Sequence, residues 1–119
     1  MNFFRRRKIL KGLNYLEATP VRLCEHRLEE DGRVTLVVPK FRNQRFNDWF
    51  LGRRPKHFLI RLDPSGSETW LLIDGSRKVG EICSQLSQND MESPEERVPK
   101  FLTTLYEQRY ITFRELREE

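Results

Sequence analysis

The stretch "LDPSGSETWLLIDGSRKVGEICSQL", residues 62–86, constrains the fold of this 119-residue chain more than any other. Asp63-Pro64 is typical of a helix start, because Asp caps free N–H groups and proline is tolerated at the first helical position. Asp74-Gly75 then predicts the end of that helix. The stretch contains no obvious nucleophile, metal ligand or phosphate-binding motif, so we interpret it as packing. We expect the meeting point of three elements to be formed by Leu62, Trp70, Ile73, Val79 and Ile82.

Alternating apolar residues predict strands before this stretch. Asp31-Gly32 is a strong hairpin-turn signal, and we expect a hairpin over residues 20–39. The alternation slips once at Cys24, as a β-bulge would require. A third strand is predicted over residues 58–62.

Helical periodicity continues after residue 78. A second helix is indicated by Val79, Ile82, Cys83 and Leu86. A third apolar stripe comprises Val98, Phe101, Leu102, Leu105 and Tyr106. Ser93-Pro94-Glu95-Glu96 resembles a capping box, but Pro99 favours a start nearer Val98 because an interior proline disrupts a helix. Ile111 and Phe113 indicate a short extended tail.

Three strands followed by three helices, without a crossover pattern, predict an α+β domain. We expect a small winged-helix-like arrangement with a three-stranded antiparallel sheet. The domain is predicted over 20–113, with a basic aromatic insertion at 40–57. A basic arm at 1–19 and a charged tail at 114–119 flank it.

Composition leaves several classes of partner open. Hydrophobic residues make up 37% and charged residues 34%, and the net charge is +4, which permits an acidic peptide, nucleic acid or an anionic membrane as a partner. The first residues do not resemble a secretory signal, and no run approaches a membrane span of about 20 apolar residues. We therefore expect a cytoplasmic protein with reduced thiols. A single disulfide between Cys24 and Cys83 is the alternative.

The ordered set of motifs resembles the PqqD family, whose members act as peptide-recognition elements in ribosomal peptide modification. The matching residues are Leu62-Asp63, Gly66, Trp70, Ile73-Asp74-Gly75, Val79, Ile82, Phe101-Leu102, Leu105 and Tyr110-Ile111, together with the hairpin from Pro20-Val21 to Pro39. The chain departs from the family pattern at Lys78, where a small hydroxyl residue is usual, so the second helix needs another cap, for which Ser76 is a candidate. The 40–57 connection is also longer and more basic than the family pattern.

The resemblance implies binding without catalysis and without a cofactor. A precursor or leader peptide would add as a strand to the open sheet edge and pack against the last helix, for presentation to a modifying enzyme. PQQ biosynthesis is the pathway that the resemblance implies first, and the altered 40–57 connection makes a different peptide system equally reasonable. Carried onto this sequence, the peptide-binding residues are Lys56, Phe58, Ile60, Arg61, Lys100, Phe101, Thr104 and Gln108. The basic members favour an acidic peptide, and an open edge also permits pairing with a second copy.

The main alternative is a nucleic-acid-binding winged helix that uses the basic segment. Residues 40–56 contain six basic residues and one acidic residue, interleaved with Phe41, Phe46, Trp49 and Phe50. The simplest interpretation is a solvated flap whose aromatic side chains cover the sheet, and the alternatives are contact with a protein or peptide, stacking on bases or lying at a membrane surface. A structural or regulatory partner domain without a peptide client is a second alternative.

No sequence motif indicates an enzyme or a metal site. P-loop, nucleophile-elbow and HExxH motifs are absent from the sequence. Cys24 and His26, two residues apart on one strand face, are too few ligands for a metal site on their own. We expect Cys83 to be a buried apolar residue and His57 to lie at the surface.

Overall fold

A computed structural model describes residues 15–39 and 57–117. The strands are β1 (Pro20–Arg22), β2 (Glu25–Leu28), β3 (Val34–Pro39), β4 (His57–Arg61) and β5 (Ile111–Phe113), and the helices are α1 (Pro64–Leu72), α2 (Val79–Gln88), α3 (Pro94–Glu107) and the short α4 (Arg114–Arg117). A 3-10 turn, Tyr15–Glu17, precedes them. The predicted α+β fold is confirmed, with a three-stranded antiparallel sheet in the order β2-β3-β4 followed by helices. This order is compatible with a winged-helix-like arrangement.

The first predicted strand is divided into two strands that pair with different partners. β2 pairs with β3, whereas β1 pairs with β5 in a separate two-stranded ribbon. The prediction of one hairpin over residues 20–39 is therefore wrong for its first strand, and the hairpin itself starts at Glu25. The break falls at Leu23 and Cys24, where the alternation slips. The Leu23 N–H donates to the Tyr110 carbonyl at 2.9 Å, which directs the chain toward β5.

The predicted turn between β2 and β3 is confirmed. Gly32 has φ +85°, a conformation that glycine adopts without a side-chain clash. The Glu29 N–H donates to the Arg33 carbonyl at 2.8 Å, and the Arg33 N–H donates to Asp31 Oδ1 at 3.0 Å. These contacts fix the register in which Leu28 lies opposite Val34.

Helix α1 begins where the sequence predicts. Asp63 has extended backbone angles, and its Oδ1 accepts the Gly66 N–H at 2.7 Å, with Pro64 at the first helical position. The helix ends at Leu72, and Asp74 Oδ1 then accepts the N–H groups of Ser76 and Arg77.

Replacing Asp63 with alanine removes this N-cap. We expect the free energy of unfolding to fall by about 1 kcal/mol, because the Gly66 N–H loses its acceptor. Urea denaturation followed by circular dichroism measures the change. Glu68→Ala, an exposed substitution on the same helix, serves as the control, and equal effects of the two substitutions would contradict a capping role.

The starts of the other two long helices differ from the predictions. Ser76 does not cap α2; the Lys78 N–H instead donates to Glu81 Oε1 at 3.1 Å, and the Val79 N–H donates to the Ala18 carbonyl at 2.9 Å. Ser93 precedes α3 in a left-handed conformation without a side-chain hydrogen bond, so the expected capping box does not form.

Helix α3 runs through Pro99 from Pro94, so the predicted start near Val98 is wrong. Pro99 is the sixth residue of the helix. Because it has no N–H, one hydrogen bond to a carbonyl in the first turn is not formed. The Tyr15 hydroxyl lies 3.5 Å from the Pro99 carbonyl.

The core lies between the β2-β3-β4 sheet, the helices and the β1–β5 ribbon. The predicted meeting residues are all buried: Leu62, Trp70, Ile73, Val79 and Ile82. Ser67 is buried as well, and its Oγ accepts the Val34 N–H at 2.8 Å, which joins α1 to the central strand. The sequence stretch at residues 62–86 therefore serves to assemble the domain.

Candidate functional site

Strand β4 forms one edge of the described sheet, and its register shows which backbone groups face outward. The Leu62 N–H donates to the Val34 carbonyl at 2.8 Å, and the paired residues continue as Leu36 with Ile60 and Val38 with Phe58. Hydrogen-bonded and non-hydrogen-bonded pairs alternate in an antiparallel ladder. Ile60 and Phe58 therefore bond to β3, whereas the backbone groups of His57, Leu59 and Arg61 point to the open edge.

The side chains of β4 present an apolar surface on both faces. Phe58 and Ile60 share the face of the buried Leu36, and Phe58 is 53% exposed. Leu59 lies on the opposite face and is 58% exposed. An edge strand with exposed apolar side chains offers both main-chain and side-chain contacts to an added strand.

Arg61 is engaged within the protein. Its guanidinium forms an exposed ion pair with Asp31, in the turn between β2 and β3. The Arg33 backbone N–H and the Arg61 charge hold the pKa of Asp31 below its usual value. Part of the positive charge predicted for this edge is therefore already neutralised. Lys56, the other basic residue predicted on the edge, lies outside the described residues.

The predicted helix wall on α3 contacts the start of α1. Lys100, Thr104 and Gln108 are exposed at four-residue intervals, as expected for one side of a helix. No hydrogen bond joins their side chains to Ile60 or Arg61 within the described ranges. Phe101 is half-buried against the start of α1, where a Cβ on Gly66 would lie 3.2 Å from its ring.

A pocket lies between the start of α1 and α3, two residues after the end of β4. Its cavity volume is about 100 Å³, well below the roughly 300–1,000 Å³ of small-molecule pockets. The lining residues are Asp63, Ser65, Gly66, Thr69, Met91, Arg97, Val98 and Phe101. Arg97 Nη2 donates to Ser65 Oγ at 3.1 Å across it. The size suits one side chain of a peptide.

Of these lining residues, only Phe101 was predicted from the sequence as a peptide-binding residue, whereas Asp63, Gly66 and Val98 were predicted in helix-start, family-pattern or packing roles. Arg97 precedes Phe101 by one helical turn, and that spacing is a signal that could have found it. Met91 belongs to the loop between α2 and α3 and carries no comparable signal.

Three other reactive side chains of the described part of the chain, two cysteines and His26, are at least partly buried. Cys24 and Cys83 are free, and burial raises the pKa of both thiols. The Cys83 thiol donates to the Pro94 carbonyl at 3.6 Å. His26 packs edge-on against Trp70, and burial together with nearby Arg22 lowers its pKa. Among the described residues there is no group of three or more His, Cys, Asp or Glu side chains that could hold a metal ion.

The basic segment of the alternative hypothesis, residues 40–56, lies outside the described residues. His57, at the start of β4, is exposed as predicted. None of the described helices is long and apolar enough to cross a membrane.

The fold and site thus define a small α+β domain with an open sheet edge beside a helix-lined pocket. Comparison with protein-family models matches residues 53–111 to the family of coenzyme PQQ synthesis protein D (PqqD). The chain therefore contains a PqqD-like domain. The match begins just before β4 and ends at the first residue of β5, so the β2–β3 hairpin, which the resemblance included, lies outside it. The searches of curated proteins and of solved structures gave no match.

Proposed function

We propose that this protein is a non-catalytic cytoplasmic module that captures a precursor or leader peptide by strand addition at β4 and presents it to a modifying enzyme. The observation that carries the proposal is the outward row of backbone groups at His57, Leu59 and Arg61, within the segment that matches the PqqD family. Strand addition uses such groups for affinity and neighbouring pockets for selectivity.

Strand β4 and helix α3 would together select the side chains of the peptide. An added strand places alternate side chains on the face of Phe58 and Ile60, and the pocket beside Phe101 is lined by residues that follow the end of β4 in the chain. Arg97 and Lys100 are exposed cations on α3, and neither forms an ion pair with a described residue. They favour an acidic peptide, whereas Arg61 contributes less because Asp31 already pairs with it.

Replacing Leu59 with proline tests strand addition. The Leu59 N–H points away from β3, so proline removes an edge donor without breaking the β3–β4 ladder. We expect affinity for the peptide to fall at least about tenfold, because the opposing carbonyl loses its donor and meets the proline ring. Leu28→Pro makes the same change on β2 at the other edge of the sheet and should leave the affinity unchanged.

The measurement is an amide NMR titration of the ¹⁵N-labelled protein with a short synthetic acidic peptide, the class of ligand that Arg97 and Lys100 favour. Shifts in β4 and α3 that require Leu59 support the proposal. A titration with a short random DNA duplex under the same conditions tests the nucleic-acid alternative. If only the duplex binds, with a strong dependence on salt, the peptide proposal is wrong. If neither binds, the regulatory-domain alternative gains support.

A further inference from the structure

Strand β2 forms the second edge of the sheet among the described residues, and the register also sets which of its backbone groups face outward. The Glu29 N–H bonds to the Arg33 carbonyl at the hairpin end, so Arg27 opposite Thr35 and Glu25 opposite Val37 are the next hydrogen-bonded pairs. The backbone groups of the intervening residues Cys24, His26 and Leu28 therefore point away from β3. In the described ranges these groups have no hydrogen-bond partner.

The charges on this edge alternate in sign. Glu25 and Arg27 flank His26, and both project from the outer face, opposite to the face that contacts Trp70. Glu25 forms no ion pair with a described residue, and Arg27 reaches Glu29 only at 3.9 Å. An edge protected by charges of one sign repels its own copy, but an edge with one charge of each sign does not.

Antiparallel pairing of two copies about His26 makes this edge self-complementary. A two-fold axis at His26 places Glu25 of each copy opposite Arg27 of the other. These are non-hydrogen-bonded pairs of the new ladder, in which side chains approach most closely. Cys24 then lies opposite Leu28 of the second copy, and Leu28 is a 63% exposed side chain that this pairing would cover.

The other registers are less favourable. An axis at Arg27 or at Glu25 sets like charges opposite each other, which destabilises a strand pair. An axis at Leu28 extends the pairing into the turn residues Glu29 and Glu30, beyond the end of β2. The register centred on His26 is the one that combines opposite charges with pairing inside the strand.

We propose that two copies of this protein associate through their β2 edges in the register centred on His26. The partner at this edge is a second copy, because the edge is complementary to itself. Its charges and its backbone groups match, and Cys24 of one copy meets Leu28 of the other. The association would form one six-stranded sheet with a β4 edge at each end. The proposal does not depend on peptide binding, because it uses the opposite edge.

Charge exchange tests the register. Glu25→Arg sets two arginines opposite each other twice in a homodimer, and Arg27→Glu does the same with two glutamates. We expect each variant alone to be monomeric, with self-association weakened by at least about tenfold from two like-charge pairs. An equimolar mixture of the two variants should form a heterodimer, and the double variant Glu25→Arg/Arg27→Glu should dimerise like the original chain.

Sedimentation velocity over about 10 µM to 1 mM gives the readout, because an edge this short is expected to bind weakly. Far-UV circular dichroism confirms that each variant is folded. A chain that stays monomeric over this range overturns the proposal, and so does a dimer that Glu25→Arg leaves intact, since that result indicates another interface. Leu28→Pro should abolish the dimer and keep peptide binding, whereas Leu59→Pro should do the reverse, so the two proposals fail separately.

Discussion

Replacing Trp70 with alanine is expected to lower the free energy of unfolding by about 3–5 kcal/mol. Trp70 is fully buried, with the Arg22 guanidinium carbon 5.5 Å from its ring centroid and the His26 ring edge-on at 6.1 Å. Alanine leaves a cavity between these groups, and a whole domain is stabilised by only about 5–15 kcal/mol. Urea denaturation followed by circular dichroism measures the loss.

A second substitution separates the ring's volume from its polar group. The Trp70 indole N–H is buried and has no hydrogen-bond partner among the described residues. Trp70→Phe retains much of the ring and loses no hydrogen bond, so we expect it to cost much less than alanine. Leu71→Ala, on the adjacent 41% exposed side chain, is the control for a helix substitution. If Trp70→Ala costs no more than Leu71→Ala, the indole is not central to the core.

Phe113→Ala, in strand β5, is expected to have a comparable effect of about 3–5 kcal/mol. The Phe113 side chain is fully buried, and its ring lies 5.8 Å from that of Tyr15 and 5.6 Å from that of Tyr106. It therefore joins the 3-10 turn and α3 to the ribbon. Thr112→Ala, on the same strand and only partly buried, should have a small effect in the same denaturation measurement. If both substitutions lower the free energy of unfolding equally, stability depends on the strand and not on the Phe113 ring.

Local signals predicted the parts of the fold that are determined locally. Asp63-Pro64 and Asp31-Gly32 each act within a few residues, so the α1 start and the hairpin turn were predictable. The pairing of β1 with β5 was not, because periodicity within a strand does not identify a distant partner. The break at Cys24 was visible in the alternation, yet a bulge and a division into two strands give the same pattern.

The α2 cap and the course of α3 also depend on context beyond a motif. The Lys78 side chain has no acceptor atom with which to cap the helix. The Glu81 carboxylate accepts the Lys78 N–H, and the carbonyl of the distant Ala18 accepts the Val79 N–H. The proline signal at residue 99 predicted a break, but the helix continues, at the cost of one backbone hydrogen bond.

The candidate site was predictable to a similar extent. An edge on the third strand follows from strand order, and Phe101 follows from the resemblance. The outward set at His57, Leu59 and Arg61 needs the register, which the sequence does not reveal. Arg61 was expected to be available for a peptide because its partner Asp31 belongs to a turn between two other strands. A charge engaged by a distant part of the chain cannot be recognised from spacing.

The β1–β5 ribbon has a consequence for the order of events during synthesis. The N–H and hydroxyl of Thr19 donate to the Glu115 carboxylate at 2.8 and 3.0 Å, and Pro20 lies opposite Phe113. Strand β1 leaves the ribosome before β5 and must wait for the intervening residues to be translated before the two strands can pair. Contacts between such distant residues form slowly and leave the strand exposed until then. A nascent chain should therefore remain sensitive to protease at β1 until residues 111–115 have emerged.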